Sequence, residues 1–345
     1  MREPHSRGGV SQGPGAADHD LGWGFIGTGN ISATAAREAR ESGSARLVSV
    51  WGRDAQRAYS FAQEHGFEDV CENLADLFAN DAVEAVYVAL PHALHVDVVL
   101  EALDAGKHVL CEKPLGLNAE EVQRVVDHPA SNSCWVAEGF MVRHHPQWRW
   151  IESVIADGVI GHVRMIQAHS CMGALVGVPT SQQLAGQGSI LLDIGCYSVH
   201  LIRTLFGAEP RHVSSFANDG EPDTSVVVQL RFAHGWAQFF VSQGAAPARR
   251  MHIIGEMGSI EVFSPIRPPR DAGATVIVHS QHAGQSSELQ FPENGQFGLQ
   301  FADFRRAVRG RTPPLVDLQN ALANARCMDA IRRSFEQCGQ VVACS

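Results

Sequence analysis

No stretch of the chain approaches the ~20 consecutive apolar residues that span a bilayer, so no membrane helix is expected. Positive charge is also scarce. Lys and Arg total 27 against 37 Asp and Glu, a formal net charge of −10. A nucleic-acid binder would show a basic face, so that class is set aside, and the acidic balance reads as a solubility feature. The cysteines form no CxxC pair and no Cys/His cluster at zinc spacing, so no metal is expected. They are Cys71, Cys111, Cys134, Cys171, Cys196, Cys327, Cys338 and Cys344. Several lie in apolar runs, where Cys acts as a small hydrophobe, and a reducing cytoplasm is the expected compartment. Residues 1–20 lack the apolar core of a secretory signal. Rich in Gly, Pro, Ser, Ala and charge without periodicity, they are expected to form a disordered tail.

What is present fits an ordinary globular chain, 45% hydrophobic and 19% charged. Its 345 residues leave room for two domains. Leu21–Ile26 is a short apolar strand candidate, followed by the turn Gly27-Thr28-Gly29-Asn30-Ile31-Ser32 and a helix pattern over Ala33–Glu41. A second strand, Leu47–Trp51, precedes a helix over Ala55–His65 that stops at Gly66. Val83–Leu90 is an apolar, β-branched run halted by Pro91; His95–Ala105 reads as a helix closed by Gly106, and His108–Cys111 as a buried strand. Continuous apolar strands alternating with helices predict an α/β, doubly wound parallel sheet of Rossmann type over residues 21–140.

After Phe140 the character changes. Strand-like runs occupy 161–171, 211–219, 224–232, 235–242, 250–263 and 274–291. Val226, Val228, Leu230 and Phe232 alternate with Gln229 and Arg231, which gives one buried and one wetter face. Residues 141–316 are therefore expected to form an α+β domain around a large, mostly antiparallel sheet, with a helix over Leu191–Phe206. A further helix, Leu318–Cys338, fills most of 317–345.

The pattern GxGxxG occurs at Gly22–Gly27, but no apolar strand precedes it. Gly27-x-Gly29-x-x-Ser32 has a strand before it and a helix after. There Gly27 permits a tight turn, Gly29 lets backbone approach a pyrophosphate, and Ser32 is small enough for close helix–strand packing. The helix N-terminus offers amide donors and a positive dipole end to phosphates. An NAD site usually carries an acid at the end of the second strand; here Gly52 and Arg53 stand there, which favours NADP over NAD. Asp54 becomes the ribose ligand instead if that strand ends two residues later. Lys113 of Glu112-Lys113-Pro114 follows a strand at the carboxyl edge of the sheet, where α/β folds bind ligands, although a Lys there is often only a surface charge. In Asp193-Ile194-Gly195-Cys196-Tyr197-Ser198-Val199-His200, Asp193 and Tyr197 share a helix face. A nearby cation such as Lys113 lowers a tyrosine pKa and makes Tyr197 a candidate acid–base; the plainer reading is that Asp193 caps the helix and Tyr197 packs in the core.

Together several fragments resemble the Gfo/Idh/MocA oxidoreductase family. They are the glycine turn, Ala89-Leu90-Pro91-His92-Ala93-Leu94-His95, Ala105-Gly106-Lys107-His108-Val109-Leu110-Cys111-Glu112-Lys113-Pro114, Phe140-Met141-Val142-Arg143-His144-His145-Pro146 and Asp193-Ile194-Gly195-Cys196-Tyr197. The Asp-x-Gly-x-Tyr form is similar to the branch holding glucose–fructose oxidoreductase, dimeric dihydrodiol dehydrogenase and NADP-dependent xylose dehydrogenase. The resemblance implies that Lys113 reaches the nicotinamide ribose and the substrate oxygen, that Tyr197 gives or takes the proton, and that the Lys113–Pro114 bond is often cis. It implies a cofactor site of Gly27, Gly29, Asn30, Ile31, Gly52, Arg53, Leu90, Pro91, His92, His95, Glu112 and Lys113. Asp193, Arg143, His145 and His200 become candidate substrate contacts. The second domain would carry the sugar-binding face and an open sheet that joins subunits into a homodimer or homotetramer, and the C-terminal helix would return toward the first domain. Two departures stand out. His92 replaces the usual Asn, and Gly186-Gln187-Gly188-Ser189 replaces a run of small residues, after a short Cys171–Ala185 segment.

The function implied is NADP-dependent hydride transfer at a CH–OH group of a sugar or polyol-like small molecule. Two alternatives are a ketoreductase of a nucleotide-linked deoxysugar and a non-catalytic NADP-binding regulator; the presence of both Lys113 and Tyr197 argues against the latter.

Overall fold

The computed structural model describes residues 20–173, 189–217, 224–268, 273–281, 284–292 and 295–344. The expected tail, but for Asp20, lies outside the described residues, as do most of Cys171–Ala185 and Gly186–Gly188.

The first sheet collects β1 (Gly22–Ile26), β2 (Arg46–Trp51), β3 (Asp69–Val70), β4 (Ala85–Val88), β5 (His108–Glu112) and β6 (Val136–Gly139). Their order is β3-β2-β1-β4-β5-β6, and every pairing is parallel. Parallel strands need crossovers. Helices α1 (Asn30–Glu41), α2 (Ala55–His65), α3 (Leu74–Ala79), α4 (His95–Asp104) and α5 (Ala119–Val126) supply them. The chain reverses direction between β1 and β4, which opens a crevice at the strands' carboxyl ends.

The two faces of this sheet are buried by different means. Ile26, Val48, Val86 and Val88 pack on Leu77, Val99 and Leu103 from α3 and α4. Trp23 and Phe25 point the other way, and a helix from far along the chain covers them. That helix follows α6 (Pro146–Ala156), α7 (Cys196–Phe206) and the second sheet; it is α8 (Gln296–Gly310). Its Phe301 ring lies 4.5 Å from Trp23, 5.3 Å from Tyr87 and 5.7 Å from Phe25. The sequence marks no helix here, although these residues fall inside the stretch 141–316; the helix packs on the first sheet, where it covers three aromatic rings.

The second sheet joins β7 (Val163–Cys171), β8 (His212–Ala217), β9 (Ser225–Arg231), β10 (Trp236–Ser242), β11 (Ala248–Gly255), β12 (Gly258–Val262), β13 (Ala274–Ser280), β14 (Gln285–Phe291) and β15 (Val342–Ala343). The order is β14-β13-β12-β11-β7-β10-β9-β8-β15, antiparallel except where β7 meets β10. The runs at 250–263 and 274–291 each prove to be a hairpin of two strands. Val226, Val228 and Leu230 are fully buried, as the alternation requires, while Phe216, Val227 and Trp236 on the other face are 56%, 43% and 53% exposed. Helix α9 (Leu318–Glu336) bridges the halves. Its Asp329 accepts the Ala119 amide of α5 at 2.8 Å, and its Ile331 carbonyl accepts the Ser215 hydroxyl of β8 at 2.7 Å.

At the end of β6 Glu138 is 3% exposed. Its Oε1 accepts the Leu115 amide at 2.9 Å, and its Oε2 has no hydrogen-bond partner among the described residues. Burial pushes its pKa up to about 7, against the opposing pull of that amide, Arg203 and Lys113. The folded protein therefore holds a proton that the unfolded chain, near the ordinary 4.5, releases. This contribution to stability is complete below pH 4.5 and is lost as pH rises through about 7.

Two predictions follow from this packing. Phe301→Ala removes the ring shared by Trp23, Phe25 and Tyr87 and should cost about 3–5 kcal/mol in urea unfolding; a loss below about 1 kcal/mol would mean the aromatic cover carries little of the stability. Glu138→Gln keeps an acceptor for Leu115 but cannot ionise. Its stability should stay level between about pH 5 and 8, where the wild type declines; parallel curves would place the titration elsewhere.

Candidate active site

The crevice begins at the glycine turn. Gly27 has φ 111°, and a Cβ there would stand 2.3 Å from the Ala89 carbonyl oxygen. Only glycine meets both demands. Helix α1 starts at Asn30, immediately after the turn and three residues earlier than its apolar pattern. Its N-cap is Gly29, which has no side chain to cap the helix, and nothing lies within 4 Å of the Cβ position there. The first-turn amides are thus left free to meet an anion, with open space in front of them. Ser32 is fully buried against the sheet. These features fit a dinucleotide pyrophosphate.

From there a cleft of about 1440 Å³ runs along the carboxyl ends of the first sheet and under the second. Gly27, Gly29, Asn30 and Ile31 line one stretch, with Gly52 and Arg53 beside them. A Cβ at Gly52 would stand 2.9 Å from Thr28 Cγ2, so any side chain at this strand end would have to displace Thr28. Asp54 is engaged as the N-cap of α2, its Oδ1 accepting the Arg57 amide at 2.9 Å. Arg57 also lines the cleft and donates to the Thr28 carbonyl at 2.9 Å. The middle of the cleft is formed by Leu90, Pro91, His92, His95, Glu112 and Lys113. His95 is buried between two backbone carbonyls, with Nδ1 2.8 Å from Pro114 O and Nε2 2.8 Å from Leu90 O. It ties the loops after β4 and β5 together. Glu112 accepts the Tyr87 hydroxyl at 2.7 Å.

Across from these stand Asp193 and Tyr197. One turn of π-helix, Leu191–Gly195, leads into α7 and carries Asp193 to the cleft. Lys113 Nζ donates to the Asp193 carbonyl at 2.8 Å and sits 5.1 Å from the Tyr197 ring centroid. The Lys113–Pro114 bond is cis. Burial disfavours the Lys113 charge, but Tyr197, Cys196, Asp193 and Glu112 outweigh it, and its pKa is raised. The Tyr197 hydroxyl donates to Met141 Sδ at 3.4 Å. Here the expectation needs correction: Lys113 does not bring the Tyr197 pKa below the ordinary value. Burial raises it, and the charge of Lys113 only partly opposes that. Tyr197 is accordingly a neutral hydroxyl at physiological pH. His92 Nε2 lies 3.6 Å from Asp193 Oδ1, and burial, then Lys113 and His95, hold its pKa down to about 2, so the ring is neutral. Burial raises Asp193, with Lys113 opposing.

Three expected substrate contacts lie elsewhere. Arg143 is buried in an ion pair with Glu152 of α6. His145 is the N-cap of α6, its Nδ1 accepting the Gln147 amide at 3.2 Å, and burial lowers its pKa to about 4. His200 is fully buried and stacked on Phe140, centroids 4.1 Å apart and planes 11° apart. None of the three lines the cleft. Conversely Met141, Thr224, Gln243, Arg249 and Arg267 line the cleft without having been singled out. Met141 sits inside a quoted motif; the others follow no local pattern. Among the described residues no three His, Cys, Asp or Glu side chains converge to hold a metal ion.

Comparison with known proteins completes the picture. Residues 21–140 match the model of the Gfo/Idh/MocA oxidoreductase family with its NAD-binding Rossmann fold, and residues 148–261 match a C-terminal domain of the same family. An uncharacterised oxidoreductase of Rhizobium meliloti is 32% identical over 299 residues, 84% of this chain and 89% of that one. The human trans-1,2-dihydrobenzene-1,2-diol dehydrogenase is 31% identical over 76% of this chain and 79% of its own. A 3-ketoreductase from Actinomadura kijaniata, solved with NADP and TDP-benzene, superposes with TM-score 0.81 at 27% identity, covering 92% of this chain and 98% of that one. With both sheets, the glycine turn and the Lys113–Tyr197 pair in place, the chain belongs to the Gfo/Idh/MocA family and is an NAD(P)-dependent oxidoreductase.

Proposed function

We propose that this protein is an NADP-preferring dehydrogenase or reductase acting at a secondary alcohol or ketone of a sugar or polyol-like molecule. The observation that carries the reading is the placement of Lys113 beside Tyr197, 5.1 Å from its ring, in a cleft continuous with the glycine turn. The family resemblance and the dihydrodiol dehydrogenase relatives support the alcohol chemistry.

Gly27, Gly29, Asn30 and Ile31 would hold the pyrophosphate, Arg53 and Arg57 the adenosine end, and Leu90, Pro91, His92, His95, Glu112 and Lys113 the nicotinamide side. A bound nicotinamide supplies a hydride acceptor or donor. The protein supplies position, charge and a proton route. Lys113, kept cationic, faces the substrate oxygen and stabilises the alkoxide character that develops there. Tyr197 hands its hydroxyl proton to that oxygen in reduction and takes it back in oxidation. Because burial keeps Tyr197 protonated, it is poised as a donor, which favours ketone reduction near neutral pH. Asp193 fixes Lys113 through its backbone carbonyl, and His92 stands at its carboxyl as a neutral neighbour.

NADP preference rests on the positions of Arg53 and Arg57 and on Gly52, where no acid stands. A second reading, reduction of a nucleotide-linked deoxysugar, is favoured by one specific likeness. The dTDP-3,4-didehydro-2,6-dideoxy-alpha-D-glucose 3-reductase of Actinomadura kijaniata is 30% identical over 90% of this chain. We further assign the exposed face of the second sheet, with Phe216, Val227 and Trp236, to contact between copies of the chain, as a homodimer or homotetramer. All eight cysteines are free thiols, six of them buried, which supports a reducing, cytoplasmic setting.

Lys113→Ala should lower kcat by about 10²–10³-fold while the melting curve and NADPH affinity change little; near-normal turnover would remove Lys113 from the chemistry. Tyr197→Phe should lower kcat by about 10²-fold or more at unchanged cofactor affinity. In the oxidative direction the wild-type rate should still be climbing between about pH 8 and 10, because the phenolate is scarce there. A plateau below pH 8 would put the base elsewhere. Arg53→Ala should weaken NADPH binding by about tenfold and NADH binding hardly at all, read by fluorescence titration; equal losses would refute the 2′-phosphate assignment.

A further inference from the structure

The second sheet closes over the substrate end of the cleft with two guanidinium groups. Arg249 is the second residue of β11, on the same face as buried Met251 and Ile253, so the strand aims it inward. Arg267 follows buried Ile266 in the loop after β12, and both line the cleft. Arg267 is near enough to Tyr197 for its charge to act on the phenol.

Among the described residues neither arginine pairs with a carboxylate. Arg249 donates to the thioether of Met172 at 3.1 Å, a weak acceptor for a cation. Arg249 is half-buried and Arg267 exposed, unlike the buried Arg143 and Arg203, which pair with Glu152 and Glu209. Among the described residues the acids lining the cleft stand at other points: Glu112 and Asp193 near Lys113, and Asp54 at the start of α2. Thr224 and Gln243, which share this end of the cleft, are uncharged. Among the described residues no acid neutralises these two cations, so an anion entering this end of the cleft would meet both guanidinium charges. The guanidinium fork is also the group best matched to phosphate and carboxylate oxygens.

We propose that Arg249 and Arg267 form an anion-recognition subsite, so that the substrate carries a phosphate or carboxylate group in addition to the CH–OH presented to Lys113 and Tyr197. The inference rests on the oxidoreductase reading above and sharpens its substrate class. Neutral sugars and polyols then become poor ligands, and the distance between the anion and the reacting carbon sets which position is reduced.

The test is calorimetric titration of the full chain saturated with NADP⁺, which fills the other anion site. The probes are glucose, gluconate, glucose 6-phosphate and UDP-glucose. At least one anionic probe should bind tenfold or more tightly than glucose, about the effect of one charge-assisted contact. The winner tells a carboxylate, a phosphomonoester and a nucleotide diphosphate apart. Arg249→Gln and Arg267→Gln should each reduce that affinity by about tenfold to a hundredfold with the NADP⁺ affinity unchanged. Anionic probes no tighter than glucose, or an R249Q/R267Q double variant that binds them like the wild type, would overturn the proposal. A protein that takes up neither NADP⁺ nor NAD⁺ in the preliminary titration would overturn the oxidoreductase reading instead.

Discussion

A cation held against its own desolvation is the constraint around which this site is built. Lys113 is half-buried, and burial alone would drive its proton off. The charges of Tyr197, Cys196, Asp193 and Glu112 reverse that, and Lys113 also donates to the Asp193 carbonyl. The same cation cannot lower Tyr197 below its ordinary range, because the phenol is buried more deeply and meets the charge across its ring face. One residue is kept charged and its neighbour kept neutral by the same apolar walls. The proposed roles of proton donor and electrostatic clamp call for such a pair side by side.

Keeping such groups within hydrogen-bonding range of a substrate requires a rigid frame, since small displacements cost large factors in rate. The frame is secured from the far end of the chain. Phe301 of α8 packs among Trp23, Phe25 and Tyr87, the last of which also holds the Glu112 carboxylate. Helix α9 is bonded to α5 on one side and to β8 on the other. His95 joins the loops after β4 and β5 on the cleft side. Lys113 is therefore positioned from the core, from the carboxyl edge and from the second sheet.

The first sheet was readable because its strands are buried on both faces and so appear as continuous apolar runs. What was missed had physical reasons. Strand β3 is two residues long and α3 six, too short for any period to show. The hairpin between β11 and β12 turns on Glu256 and Met257 alone, so short a connection that residues 250–263 read as one strand-like run despite the flanking Gly255 and Gly258. Helix α8 carries Gly298 within its first turn, where a Cβ would meet the Glu38 carbonyl at 2.7 Å. A glycine placed for close packing reads locally as a helix breaker. His145 and His200 stand in or beside recognisable motifs, yet their rings were claimed by a helix cap and an aromatic stack. Motif membership located the neighbourhood of the site, not the direction in which each side chain points.

The two halves of the cleft differ in how their residues are encoded. On the dinucleotide side each contributor follows the end of one parallel strand, so Gly27–Ile31, Gly52–Arg53, Leu90–His92 and Glu112–Lys113 form compact strings. On the substrate side the lining comes from separate antiparallel strands and loops, Thr224 and Gln243 at strand boundaries, Arg249 within β11 and Arg267 beyond β12. Register across the sheet brings them together, and no local spacing announces it. Cofactor chemistry is thus legible as motifs, while substrate choice depends on tertiary structure. An unmatched pair of arginines is the kind of specificity signal that appears only once the sheet is assembled, because the observation that matters is the carboxylate missing beside each of them among the described residues.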